Sequence, residues 1–235
     1  MFQFKQFKIN QDQCAMKVCT DSCIMGAYTD IADAKTVLDI GTGTGLLTLM
    51  LAQRSKALFT AIEMDEQAIK QAAENIHESP WEDRINLYHQ DINQFAVTSE
   101  VQFDHIICNP PFYSNSLKSP DAQKNKAHHG VSLTQEQLLF CINKLLHQQG
   151  KFTLLLPVAE AEAFQYKAEN QGYYLMDSLE IAHNSNKKPF RRIDTYEAAV
   201  SIKPETKKLV IKDCQNNYTE NFQSLLKEYY LHFKD

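Results

Sequence analysis

The chain has 235 residues, 43% hydrophobic and 23% charged, with a formal net charge of -5 at pH 7. That length can bury a substantial core in one domain, and no apolar run approaches the ~20 residues that span a bilayer. The N-terminus, MFQFKQFKINQ, lacks a signal-peptide h-region, and the cysteines at 14, 19, 23, 108, 141 and 214 form no C-x-x-C pair and no zinc spacing with histidine; reduced thiols, a cytoplasmic location and no metal are therefore expected.

In chain order, strand-like runs at about 35–40, 57–62, 84–89, 103–108 and 151–156 alternate with helical patterns near 46–54, 65–78, 134–147 and 159–171. This alternation predicts an α/β fold with a doubly wound, mostly parallel sheet. Two further runs, near 173–182 and 194–202, are joined by the polar segment HNSNKKPFRR and read as a hairpin-like closing pair that puts an antiparallel strand at the sheet edge. KKLVIKD is a candidate strand and YTENFQSLLKEYYLHF a last amphipathic helix. With no internal repeat, residues 1–235 read as a single domain.

The first strand runs into Asp39-Ile40-Gly41-Thr42-Gly43-Thr44-Gly45, followed by the helix-compatible LLTLMLAQR. Glycines between a strand and a helix let backbone N–H groups approach a ligand at a helix N-terminus. A dinucleotide fingerprint needs G-x-G-x-x-G, whereas Leu46 stands at the third position here and Asp39 precedes the first glycine by two residues. A tight turn without ligand is the alternative, although three alternating glycines are costly to order. The second strand ends at Glu63-Met64-Asp65, with Glu63 22 residues after Gly41, where a carboxylate can accept both hydroxyls of a ribose; an ordinary strand-end carboxylate is the other reading. Asp65 reads as the N-cap of the next helix. The third strand ends at Asp91-Ile92, an acid placed to receive an adenine amino group and an apolar residue to pack on its ring; a plain helix cap at Asp91 is the other reading.

The fourth strand, FDHIIC, closes on Asn109-Pro110-Pro111-Phe112. An exocyclic amine is a poor nucleophile while its lone pair is delocalised into a ring, and acceptors that bend it toward tetrahedral geometry free that pair. The Asn109 side-chain oxygen and the Pro110 carbonyl are two such acceptors, the prolines stiffen the loop that carries them, and Phe112, with Tyr113, offers a face for a planar base. A bare Asn-Pro-Pro is more often a loop ending a buried strand; the upstream glycine loop changes that balance. Cys108 ends an apolar strand with no evident base and is not expected to be a nucleophile. Lys187, Lys188, Arg191 and Arg192 cluster around Phe190 and are candidate phosphate ligands despite the acidic total, with a solvated loop as the other reading. Lys118, Lys124, Lys126, His128 and His129 form a second set, readable as a lid or as a solvated loop.

With the glycine loop at 39–45, Glu63, Asp91 and Asn109-Pro110-Pro111-Phe112 in this order and spacing, the chain resembles the class I S-adenosylmethionine-dependent amino-methyltransferases, a Rossmann-like fold, over nearly its whole length. The opening FKQFKINQDQCAMKVCTDSCIMGAY resembles more specifically the bacterial tRNA1(Val) adenine-37 N6-methyltransferase family, in which this segment typically reads M-K-V-G-T-D-G. Met16, Lys17, Val18, Thr20 and Asp21 match it, and Cys19 and Ser22 replace its two glycines.

The resemblance implies S-adenosylmethionine as methyl donor and S-adenosylhomocysteine as product. Asp39, Gly41, Gly43, Gly45, Glu63, Asp91, Ile92 and Asn109 would surround the cofactor, with Lys17, Thr20 and Asp21 at its methionine end and residues 1–34 packing beside it; a capped helix start is the other reading of Thr20-Asp21. Asn109, Pro110 and Phe112 would act on the target adenine, while Pro111, Tyr113, Lys187, Lys188, Arg191 and Arg192 hold its substrate, a tRNA anticodon loop, with the enzyme a monomer. Three rivals remain. Ribosomal RNA guanine-N2 methyltransferases share Asn-Pro-Pro-Phe but commonly carry an extra domain. Release-factor glutamine methyltransferases place a long helical domain before the glycine loop, where this sequence has 38 residues ahead of Asp39. The third is a protein that binds the cofactor without catalysis.

Overall fold

A computed structural model of the chain describes residues 1–14, 17–110, 133–199 and 204–233. After a small antiparallel pair, β1 (Phe2–Gln3) and β2 (Lys8–Ile9), and helix α1 (Thr20–Tyr28), strands and helices alternate: β3 (Thr36–Ile40), α2 (Leu46–Arg54), β4 (Leu58–Glu63), α3 (Glu66–His77), β5 (Ile85–His89), α4 (Ile92–Thr98) and β6 (Phe103–Cys108). Then come α5 (Gln135–Leu145), β7 (Leu146–Leu156), α6 (Val158–Glu169), β8 (Tyr174–Asn184), β9 (Arg191–Glu197), β10 (Glu205–Lys212) and α7 (Glu220–Leu226).

The large sheet has the order β10-β8-β9-β7-β6-β3-β4-β5. Neighbours from β5 through β7 are parallel; β9 runs against both β7 and β8, and β10 is parallel to β8. The reversed strand thus belongs to the β10 side of the sheet, with β8 and β10 beyond it. Period-2 alternation divides the side chains between two cores. Val37, Phe59, Ile107 and Ile193 face α1, α2 and α7, whereas Leu38, Ile62, Ile106, Phe152 and Tyr196 face α4, α5 and α6. Burial on both faces is why the central strands read as nearly unbroken apolar runs.

Strand order reverses between β3 and β6, so a crevice opens there at the strands' C-terminal ends. The glycine loop, Glu63, Asp91 and Asn109 all follow or end strands at this edge. The structure departs from the sequence reading in the hairpin: β9 begins at Arg191, so its two arginines are strand residues and the connection is shorter than HNSNKKPFRR. The β1–β2 pair carries no strong periodicity and is not among the expected elements, whereas helix α1 starts at Thr20, where a helix start is the alternative reading of Thr20-Asp21. The last helix stops at Leu226, after which Tyr229 and Phe233 still pack into the core. Among the described residues, no helix is long and apolar enough to cross a membrane.

Candidate cofactor and catalytic site

Gly41, Gly43 and Gly45 all have positive φ, at 70°, 58° and 82°, a region that L side chains avoid. Around Gly41 and Gly43 a Cβ would meet nothing within 4 Å, so this stretch of backbone borders open space. The loop is held from beneath. Asp39 is fully buried, and its Oδ2 accepts from the hydroxyls of Thr42 and Thr48, each at 2.7 Å. Burial pushes its carboxyl up to about 6, against the opposing pull of those hydroxyls, with the Glu63 charge adding to the rise. Asp39 therefore shapes the loop from below.

Glu63, at the end of β4, accepts from Gly43 N–H at 2.9 Å through Oε2 and from Met64 N–H and Asp65 N–H at 2.8 and 2.9 Å through Oε1. Its carboxylate is thereby fixed against the glycine loop and remains half-exposed. Asp65 caps α3 by accepting from Gln67 and Ala68 N–H. Asp91 caps α4 through Oδ1, which accepts from Asn93 N–H and Nδ2; Ile92 beside it is buried. The N-terminal segment is tied in by Asn75, whose Nδ2 donates to Asn10 O and Thr44 O and whose Oδ1 accepts from Asn10 N–H.

Asn109 follows β6, and its Nδ2 donates to Ser22 Oγ at 2.8 Å. Its Oδ1 is buried and has no hydrogen-bond partner among the described residues. A buried acceptor left open costs about 1–3 kcal/mol, which a donor arriving with a substrate would offset. Pro110 is buried behind it. Pro111, Phe112, Tyr113 and the set Lys118, Lys124, Lys126, His128 and His129 lie outside the described residues. Cys108 is fully buried, which pushes its thiol well up, as befits a packing residue.

The opening segment joins this site from α1. Thr20 is the first residue of the helix and exposed; Cys19 is the N-cap but gives no side-chain cap. Asp21 Oδ1 accepts from Ser22 N–H, and Oδ2 takes an ion pair from Arg191 Nε at 3.0 Å. Lys17 is exposed and donates to the carbonyl of Gln11.

The basic cluster divides. Lys187 and Lys188 are exposed at the hairpin tip, and Arg191 is committed to Asp21. Arg192 does not join them. Strand alternation turns it to the opposite face, where it is buried and paired with Asp194 at 2.6 Å and Gln165 at 3.0 Å; the expectation that it binds phosphates is corrected, because a buried ion pair cannot also reach a solvent-borne ligand. Sequence reasoning also missed Thr42, Thr48 and Asn75 as supports. The signal for Asn75 was a polar residue on the apolar face set by Ala68, Ala72 and Ile76.

Comparison with known proteins decides what this geometry belongs to. Residues 22–176 match the family model of the methyltransferase small domain. A Dyadobacter fermentans protein named tRNA1(Val) (adenine(37)-N6)-methyltransferase is 45% identical, covering 99% of this chain and 98% of that one. A Bacteroides fragilis protein of the same name is 40% identical over 98% and 97%. The chain belongs to the tRNA1(Val) (adenine(37)-N6)-methyltransferase family. In fold it is similar to a predicted O-methyltransferase from Agrobacterium tumefaciens, with a TM-score of 0.68, 15% identity and coverage of 88% and 96%.

The residues fit S-adenosylmethionine, the methyl donor of this family. The open backbone at Gly41 and Gly43 can take a flat nucleoside at close range, Glu63 offers a fixed carboxylate, and Asp91 keeps an oxygen for a further donor.

Proposed function

We propose that this protein methylates N6 of adenine 37 in the anticodon loop of valine tRNA, using S-adenosylmethionine. The observation that carries the reading is Asn109: an amide held by Ser22 through its nitrogen, with its oxygen buried and without a hydrogen-bond partner among the described residues, at the switch point next to the glycine loop. The cofactor supplies a sulfonium-bound methyl group, an electrophile that needs no further activation.

The chain's own residues then position. Gly41, Gly43 and Gly45 admit the cofactor's nucleoside, Glu63 takes its ribose hydroxyls, Asp91 its adenine amino group, and Ile92 packs on the ring. Lys17, Thr20 and Asp21 lie toward the methionine end, with residues 1–34 as a segment that packs beside it. Asn109 Oδ1 and the Pro110 carbonyl accept the two N6 hydrogens and turn the lone pair outward. Phe112 and Tyr113 stack on the target base, which Pro111 helps to seat. No strong base is required, since alignment of nitrogen, methyl and sulfur supplies most of the acceleration. An anticodon-loop base is already partly unstacked, so flipping it costs only about a few kcal/mol. Lys187, Lys188 and Arg191 lie at the edge where the RNA backbone would pass. The protein acts as a single-domain monomer in the cytoplasm.

The test is incubation with labelled cofactor and unmodified tRNA, followed by mass spectrometry of the nucleosides. N6-methyladenosine at position 37 is expected, and it should vanish in Asn109→Ala while cofactor binding persists. N2-methylguanosine would favour the ribosomal RNA enzymes instead, and cofactor binding without transfer to any RNA would favour a non-catalytic protein.

A further inference from the structure

A cavity of about 530 Å³ opens beside the site, on the flank away from the glycine loop. Thr20 and Asp21 form one wall, His183, Asn184 and Phe190 of the β8–β9 hairpin a second, and Lys212, Asn216 and Tyr218 after β10 a third. It lies at the same edge of the sheet as Asn109: Asn184 pairs in register with Lys212, and Arg192 with Leu156 at the end of β7. The start of α1 separates the two, with Ser22 touching Asn109 and its neighbour Asp21 bound to the hairpin through Arg191.

The lining is suited to a planar, neutral ring. His183 and Phe190 stack with centroids 3.9 Å apart and planes within 6°, and the His183 ring is exposed. Arg191 lies over Phe190 at 5.4 Å and anchors that platform. Across the cavity Lys212 lies over the Tyr218 ring at 5.4 Å and contacts Asn216 Oδ1 at 3.1 Å. Asn184 and Asn216 bring amides that can meet the mixed donors and acceptors of a base edge. Asp21 and Asp213 are engaged by Arg191 and by the backbone N–H groups of Gln215 and Asn217, so neither is a bare charge in the lining. The volume falls within the range of small-ligand pockets.

We infer that this cavity is a second nucleobase subsite, which takes a nucleotide flanking the target adenine and stacks it on His183. The inference rests on RNA being the substrate. Unstacking the target leaves its neighbours without a stacking partner, and a platform one helix start away from Asn109 gives one of them a new one. Lys212, with Lys187 and Lys188 at the hairpin tip, then faces the adjoining phosphates.

The experiment compares His183→Ala, His183→Phe and the wild-type protein on a tRNA anticodon stem-loop and on versions abasic immediately 5′ or 3′ of the target. His183→Ala should raise KM for the intact stem-loop on the order of 10-fold, as expected for the loss of one base–aromatic stack. His183→Phe should restore it, and cofactor affinity and melting temperature should be unchanged in both. One abasic version should raise KM for the wild-type protein by a similar factor and have no added effect on His183→Ala. Equal KM values for wild-type and His183→Ala, or an abasic penalty undiminished in the variant, would overturn the subsite. Failure of the wild-type protein to methylate any stem-loop or tRNA would instead remove the RNA reading on which it stands.

Discussion

Asn109 and Ser22, 87 residues apart in the chain, share a hydrogen bond of 2.8 Å from Asn109 Nδ2 to Ser22 Oγ. Ser22 Oγ also lies 2.9 Å from Cys19 Sγ, whose thiol burial and the neighbouring Asp21 push up to about 11, so it stays protonated. Through these contacts Cys19 and Ser22 together fix which way the Asn109 amide points. Without the hydroxyl the amide can rotate and present a donor to the target amine. Ser22→Ala should therefore lower kcat by roughly 5- to 10-fold, the size of one hydrogen bond, with KM for tRNA and cofactor affinity within twofold of wild-type. Ser22→Thr, which keeps the hydroxyl, should retain most of kcat. Steady-state kinetics with isothermal titration of the cofactor separates these outcomes, and an unchanged kcat in Ser22→Ala would exclude the role.

Glu63 accepts three backbone N–H groups, one of them from the glycine loop. Glu63→Gln can accept through only one of its two terminal atoms, so Gly43 or the Met64–Asp65 pair loses its partner. Charge-assisted hydrogen bonds are worth about 1.5–3 kcal/mol. Cofactor dissociation constants should rise roughly 10- to 100-fold, with saturated kcat little changed. Titration calorimetry at fixed ionic strength measures it; an unaltered affinity would show that this carboxylate serves the loop alone.

How much of this was legible beforehand depends on what kind of signal each residue leaves. The glycine loop, Glu63, Asp91 and Asn109 follow strands whose β-rich apolar runs are hard to mistake, and their order along the chain reports their convergence because a doubly wound sheet brings successive C-terminal ends to one edge. Arg192 was misread because the run of charges concealed where β9 begins: with the strand started near 194 both arginines fall in the connection, whereas β9 starts at Arg191 and alternation turns Arg191 and Arg192 to opposite faces. Ser22 was visible as a departure from the family glycine, yet its contact with Asn109 spans two elements and no local pattern encodes it. The β1–β2 pair was too short to leave a period, and α1 is buried over most of its length and has little amphipathic contrast.

Asp39 and His105 give the protein opposing pH responses. Asp39, raised by burial from 3.8 to about 6, contributes stability that is present below pH ~4 and lost as pH rises through 6. His105, buried and lowered from 6.5 to about 3, contributes stability that is present above pH ~6.5 and lost as pH falls toward 3. Over pH 4–6 the two slopes oppose each other. Asp39→Asn removes the first, so the variant should gain relative to wild-type by about 2–3 kcal/mol between pH 4 and pH 7. Denaturant melts at both pH values test this; a difference between variant and wild-type that is independent of pH would show that Asp39 does not titrate in this window.

Lys187 and Lys188 should be separable from Arg192 by salt. The lysines are exposed at the hairpin tip, and each phosphate contact they make would contribute roughly 0.7–0.9 to the slope of log K against log salt. Replacing both with alanine should flatten that slope by up to about 1.8 and leave the melting temperature unaltered. Arg192→Ala acts elsewhere: Asp194 also accepts from Ser178 and Tyr196 hydroxyls, at 2.6 and 3.2 Å, and would be left as a buried charge without its counterion. That loss is of order 3–5 kcal/mol of stability, with the salt slope of the remaining folded protein unchanged. Filter binding of tRNA across a salt series, beside thermal melts, distinguishes the two. A flat salt response in the wild-type protein would remove the lysines from the RNA path, and a reduced slope in Arg192→Ala at full stability would return the arginine to it.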